Sequence, residues 1–245
     1  MKSACDGLVI WETKTGEADR VIEILTARGL VTAYAKGSLR PKNRLASSTA
    51  LLAYSGFELY KGSNMYTVDD AESIERFMRL STDMKAYSLV LYFCELLKTL
   101  LPGEEDTAEQ LSLMLNSMFL TDKGKTNLEQ IKSVFELKIM QLSGYMPDLV
   151  ECSRCGKNDS PDGLYFDITG GTWLCSDCAS SAGLELNCSE AVLKAMRFIL
   201  DSDVKKAFGF KLGEANLRNL SGLTSRYVEA QIDFRPKTLE FYNSL

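Results

Sequence analysis

The chain of 245 residues is 45% apolar and 25% charged with a net charge of −5, the balance of a globular protein with room for one large domain or two to three small ones. No run approaches the roughly 20 apolar residues of a membrane helix, and Met1–Asp6 carries one positive charge with no apolar run of signal-peptide length behind it, so no span and no signal peptide are expected and a cytoplasmic location is expected. Histidine is absent, which excludes Ser-His-Asp and Cys-His triads and leaves Cys, Asp or Glu to hold any metal.

Residues 4–75 read as β structure. Gly7–Trp11 is a short apolar run, and Arg20–Thr26 follows a turn at Gly16-Glu17-Ala18-Asp19. Leu30–Lys36 follows Gly29, Ala50–Tyr60 carries a longer strand with a bend or bulge at Ser55-Gly56, and Met65–Ile74 follows Gly62-Ser63-Asn64. Five closely spaced strands without intervening helices predict a small Greek-key barrel such as an OB-fold, with an SH3-like barrel or small sandwich as the alternatives. From about residue 81 the period turns helical. Thr82–Leu101 repeats apolar residues at i, i+3, i+4 up to Pro102-Gly103. Thr107 with Gln110, and Thr126 with Glu129, have capping-box spacing for the next two helices, the second ending at Gly144 and Pro147. Asn187 and Ser189 are candidate caps for a helix to Leu200, a last amphipathic helix spans Leu217–Ile232, and Arg235-Pro236-Lys237 breaks before the tail. The expected class is a multidomain α+β protein, divided into 1–80 for the barrel and 81–245 for an α-helical domain.

Cys152-x-x-Cys155 and Cys175-x-x-Cys178, separated by 19 residues, have the spacing of a closed four-cysteine zinc site. Leu164–Asp167 and Thr172–Leu174 read as a hairpin through Gly170-Gly171 that brings the second pair back to the first, a zinc-ribbon-like module over 150–182. Two disulfides or four free thiols are the alternatives. Four thiolates leave no open position for water, so zinc here is structural. Cys94 reads as core, and Cys5 and Cys188 carry no signal.

Charge marks a second segment. Residues 1–80 hold 11 basic and 10 acidic residues, yet no acid lies between Glu23 and Glu58. Lys36-Gly37-Ser38-Leu39-Arg40-Pro41-Lys42-Asn43-Arg44 puts four cations in nine residues. At a barrel rim this is a mobile basic loop, with Ser38, Ser47 and Ser48 hydroxyls available to phosphates; a solvated turn is the plainer alternative. Tyr34, Tyr54, Tyr60 and Tyr66 offer stacking faces or barrel core. Gly124-Lys125-Thr126 is not a phosphate-binding loop, because Phe119 stands where that motif needs glycine. The adjacent acids Asp69-Asp70 and Glu104-Glu105 are expected to point to opposite faces or into solvent. No credible active site is found, so the chain reads as a non-enzyme.

The order of these features resembles the RecO family over nearly the whole chain. The likeness is carried by Gly7-Leu8-Val9-Ile10, Gly16-Glu17-Ala18-Asp19-Arg20-Val21, Leu25-Thr26 and Gly29-Leu30. It continues through Lys36–Leu45, Phe57–Gly62, Tyr66-Thr67, Ala71-Glu72, the two cysteine pairs with Gly156 and Gly170-Gly171, and the tail from Tyr227 through Arg235, Lys237 and Leu239. The resemblance implies an N-terminal OB-fold, a helical domain with a zinc module held by Cys152, Cys155, Cys175 and Cys178, and a non-catalytic role in repair and recombination of the RecF pathway. It further implies binding and annealing of single- and double-stranded DNA, a partnership with RecR, and loading of RecA onto strands coated by single-strand-binding protein, in the nucleoid. Lys36, Arg40, Lys42 and Arg44 match its basic loop as DNA contacts, with Arg20 and Lys61 as weaker ones. Two rivals stand: a zinc hydrolase or deaminase, disfavoured by the missing histidine, and a zinc-ribbon protein-interaction adaptor that binds no DNA.

Overall fold

The computed structural model describes residues 2–62, 65–101 and 106–245. Ser63-Asn64 of the expected turn, Pro102-Gly103 and Glu104-Glu105 lie outside them. The described chain falls into two compact units, Met1–Lys123 with Glu240–Leu245, and Gly124–Leu239.

In the first unit five strands close into a barrel: β1 (Lys2–Thr15), β2 (Asp19–Thr26), β3 (Gly29–Ala35), β4 (Tyr54–Lys61) and β5 (Tyr66–Glu75). The order β1-β2-β3-β5-β4 is closed by β1–β4 pairing, and β3 meets β5 in parallel at Ala33↔Tyr66 and Tyr34↔Thr67. This is the OB-type arrangement. Alternating residues fill it: Ile22 and Ile24, Ala33 and Ala35, Phe57 and Leu59 all point inward, as the two-residue period of a strand requires. A short helix α1 (Leu45–Ser48) follows the basic loop and adds Leu45 to that core. β1 is far longer than its apolar stretch, because its ends pair with β2 on one side and β4 on the other. The irregularity expected at Ser55-Gly56 is a register shift between Tyr54 and Ser55, and the extra residue, Ile74, lies on β5.

Two helices complete this unit, α2 (Met84–Leu100), capped by Asp83 on the Ala86 N–H, and α3 (Ala108–Lys123). Thr107 serves a different purpose from the cap its spacing predicts. Its hydroxyl accepts from Gly29 N at 2.8 Å and donates to Thr26 O at 2.7 Å, so it pins the start of α3 to the β2–β3 turn. Asp106 Oδ1 instead accepts from Ala108 N at 3.1 Å.

The second unit packs α4 (Leu128–Leu142) against α6 (Glu190–Asp201) and α7 (Glu214–Ile232). Asn127, one residue after the expected Thr126, caps α4 by accepting from Glu129 N. Ser189 caps α6 as expected. Asn187 instead pairs with the Phe166 backbone on both sides. Between α4 and α7 lies a buried ion pair, Lys132–Glu136 at 3.1 Å, bonded on all sides to Ser221, Thr224 and Ser225. Buried charges persist only when their remaining hydrogen-bonding capacity is met in this way. After Asp233 in a left-handed turn and Pro236, the chain resumes as α8 (Lys237–Ser244). Among the described residues no helix is long and apolar enough to cross a membrane.

Thr107→Val would leave the buried Gly29 N–H and Thr26 carbonyl without this partner. The expected loss is about 1–3 kcal/mol in urea unfolding, whereas Thr107→Ser, which keeps the hydroxyl, retains most of the stability.

Candidate nucleic-acid interface and metal centre

The basic loop between β3 and α1 is a chain of tight turns. Arg40 N donates to Gly37 O, Asn43 N to Arg40 O and Ala46 N to Asn43 O, at 2.9–3.0 Å. The mobile loop read from the sequence is therefore an internally bonded one. Its first end is fixed by the β1–β2 turn. Asp19 accepts from the Tyr34 hydroxyl and, at 2.6 Å, from Gly37 N, and Leu39 N donates to Ala18 O at 2.9 Å. The Tyr34 hydroxyl and the Gly37 N–H hold the Asp19 carboxyl below its ordinary value, and nearby Arg40 and Lys36 act in the same direction. Gly37 has a φ of +66°, a left-handed turn that favours glycine.

Arg20 works from inside. Its guanidinium lies 3.1 Å from Ala46 O and 3.5 Å from Ser38 O and Thr49 Oγ1. Its Nε sits 3.2 Å from Glu12 Oε2, an ion pair rather than an aligned hydrogen bond. Glu12 Oε2 also accepts from Leu51 N at 3.1 Å. Glu12 and Arg20 thus tie both flanks of the loop to the β1–β2 hairpin. With a side chain only 13% exposed, Arg20 presents little charge to solvent.

Lys36, Arg40 and Lys42 are exposed, and among the described residues none of them forms an ion pair with a carboxylate. Arg44 is exposed but engaged, with NH1 2.7 Å from Asp70 Oδ2 and NH2 donating to Asp69 O at 2.9 Å. Lys61 is exposed, its ammonium 6.0 Å from the Tyr66 ring. The serines differ from expectation: Ser38 and Ser48 are buried, Ser38 donating to Ala35 O, and Ser47 alone of the three is exposed. The tyrosines also separate. Tyr34 is tied to Asp19, Tyr54 and Tyr66 are half-buried, and Tyr60 is 52% exposed.

In the second unit β6 (Leu164–Asp167) and β7 (Thr172–Cys175) form the expected hairpin, and α5 (Ser176–Ser181) follows Cys175. The Sγ atoms of Cys152, Cys155, Cys175 and Cys178 all lie within 4.8 Å of one another. Cys155 and Cys175 stand 3.7 Å apart, far beyond the roughly 2.05 Å of a disulfide. That gap fits the S···S edge of about 3.8 Å that Zn–S bonds of about 2.3 Å impose on a tetrahedron. Burial pushes the Cys152 thiol up, but the N–H groups of Cys175, Arg154 and Cys155 outweigh it and bring it to about 6. Cys178 is pushed up to about 12 by burial and by the three neighbouring sulfurs. Four sulfurs packed this closely resist carrying charge together, and a dication at the centre would remove that conflict.

Gly156 at φ +73° turns the first knuckle, with its N–H on Cys152 O at 2.9 Å. Gly171 at φ +63° turns the hairpin, where a Cβ would come within 3.0 Å of the Tyr227 hydroxyl. Outer residues hold the module. Arg197 of α6 donates to the carbonyls of Leu149, Asn158 and Val150 at 2.7–2.9 Å and covers the Trp173 ring at 5.5 Å. Tyr227 bonds Tyr145 O, and Gln231 bonds Ile168 O and Thr169 O. Sequence reading missed Glu12, Asp19 and Arg197 as positioning residues. For Glu12 the usable signal is hairpin register: with the turn at Gly16, Glu12 falls diagonally across from Arg20 on one face.

Comparison with known proteins matches residues 1–77 to the family described as Recombination protein O N terminal and residues 81–240 to Recombination protein O C terminal. The DNA repair protein RecO of Acetivibrio thermocellus is 33% identical over 240 residues, covering 98% of this chain and 95% of the relative. That of Symbiobacterium thermophilum is 30% identical over 98% and 96%, and that of Dehalococcoides mccartyi 27% over 97% and 94%.

Purified protein is expected to carry one zinc per chain with four sulfur neighbours by X-ray absorption. Cys152→Ser is expected to abolish stoichiometric metal. Arg197→Met, which leaves every sulfur in place, is expected to speed zinc loss to a chelator several-fold.

Proposed function

The chain belongs to the RecO family of DNA repair and recombination proteins, and on that premise we propose that it binds DNA through the loop Lys36–Arg44 and anneals complementary strands without making or breaking a bond. One observation carries this reading: Lys36, Arg40 and Lys42 stand exposed and, among the described residues, in no ion pair with a carboxylate, on a loop that Asp19 and Arg20 hold in place. Preorganised free cations are suited to sugar-phosphate, because the loop loses little entropy on binding and the DNA releases condensed counterions. Lys36, Arg40, Lys42 and Arg44 act as phosphate contacts, with Lys61 beyond them. Arg20, the sixth cation, acts by positioning the loop. The exposed ring of Tyr60 offers a stacking face for a base. Two strands held this way meet at raised local concentration and pair.

In the same reading the four-cysteine centre holds zinc as a brace, with all four positions taken by sulfur and none left for substrate. The protein works at the nucleoid with RecR, acts on strands coated by single-strand-binding protein, and so delivers them to RecA downstream of RecF.

Arg40→Glu with Lys42→Glu is expected to weaken single-strand binding by at least tenfold in fluorescence anisotropy while leaving the melting curve unchanged; equal affinity would remove the loop from the interface. With about four phosphate contacts, log affinity plotted against log salt should fall with a slope near −3, at roughly −0.7 per contact. A flat salt dependence contradicts electrostatic binding, and an absence of any retarded complex favours the adaptor reading.

A further inference from the structure

Two cations on the barrel rim, Arg44 of the loop and Lys2 of β1, are already occupied, and their partners are neighbours in sequence. Lys2 Nζ lies 2.6 Å from Asp69 Oδ2 and Arg44 NH1 lies 2.7 Å from Asp70 Oδ2. In a regular strand Asp69 and Asp70 would face opposite sides of the sheet. Here β5 carries a bulge: Val68 pairs with Leu59 and Asp70 with Glu58, leaving Asp69 as the extra residue. The bulge re-aims the two carboxylates, so that Asp69 reaches the start of β1 and Asp70 reaches the end of the basic loop.

We propose that Arg44 of the loop, together with Lys2, forms a masked part of the DNA interface, with Asp69 and Asp70 as internal competitors that a sugar-phosphate chain displaces. This rests on the DNA-binding reading of the loop given above. Three features support the exchange. The four side chains are between 46% and 68% exposed, so a phosphate can approach both cations and the carboxylates can rehydrate as they leave. Exposed ion pairs are weak, so each mask costs about two- to fivefold in affinity and no more. Lys2 also pairs across the sheet with Tyr60, the exposed ring on β4, so one of the masked cations stands beside the stacking face. A guanidinium fork matches phosphate as well as it matches carboxylate, and a polyanion adds counterion release that one aspartate lacks. The hydrogen bond and charge of Lys2 hold the Asp69 carboxyl below its ordinary value, with Arg44 adding to the effect, as expected of a carboxylate set between two cations.

The test is a pair of double-mutant cycles on the full chain, with labelled oligo-dT as probe and anisotropy as readout. Asp70→Asn retains an oxygen for the Ala71 N–H, which Asp70 Oδ1 accepts at 2.8 Å, and melting curves check that each variant is folded. Masking predicts that Asp70→Asn tightens binding about two- to fivefold when Arg44 is present and has no effect in an Arg44→Gln background, with Asp69→Asn and Lys2→Gln behaving in the same way. Equal gains in both backgrounds would mean that the aspartates repel DNA only through space, and this overturns masking. So does the absence of any gain while the parent chain binds. If the parent chain binds no oligonucleotide at all, the DNA-binding reading itself falls and the masked interface with it.

Discussion

The contact between Glu12 and Arg20 is the constraint on which the barrel rim depends. Two adjacent strands present opposite charges on one face, and the guanidinium then has hydrogens to spare for the backbone of the segment that crosses above it. Glu12 takes the far side of that segment through Leu51 N. A loop of small turns has little apolar surface with which to hold a shape. The pair supplies the missing restraint by converting a surface excursion into an extension of the hairpin. The adjacent Asp19 does the same at the near end. The stretch Gly16–Arg20, which reads in one dimension as a turn and the start of a strand, is thus the foundation of the loop twenty residues later.

The cysteine module obeys the same logic with different chemistry. Four-residue strands cannot support themselves, and β6 and β7 are that short. Sulfur atoms converge at one end, and Arg197, Tyr227 and Gln231 clamp the carbonyls elsewhere. Each unit of the molecule therefore has one charged or sulfur-rich cluster that orders chain otherwise too irregular to order itself.

Much of this was legible without coordinates. The five strands follow from alternating apolar residues and turn glycines, the long helices from their period, and the four-cysteine centre from spacing alone. What escaped did so for physical reasons. α1 is four residues long, below the length at which helical period can be detected. Asn127 and Thr126 are both good caps, and only the backbone decides between them. Thr107 reads as a cap because a hydroxyl serves local and distant partners equally well, and its distant partners lie some eighty residues earlier. The candidate cations were evident as a group, but their division into exposed members, a paired one (Arg44) and a largely covered one (Arg20 of β2) depends on the tertiary placement of Glu12, Asp19 and Asp70. No run of charges encodes that placement.

The bulge at Asp69 carries a consequence for how such a chain can change. A one-residue excess in one strand is a local accommodation, and the ladder next to it is regular, on one side as far as the second bulge at Ile74. Losing that single codon would let Val68 and Asp70 follow each other as plain neighbours against Leu59 and Glu58, with the barrel core untouched. Lys2 would be left without its carboxylate in the same event. Surface charge at the rim is therefore adjustable by insertion or deletion as well as by substitution, a genetic route that leaves every buried side chain where it was.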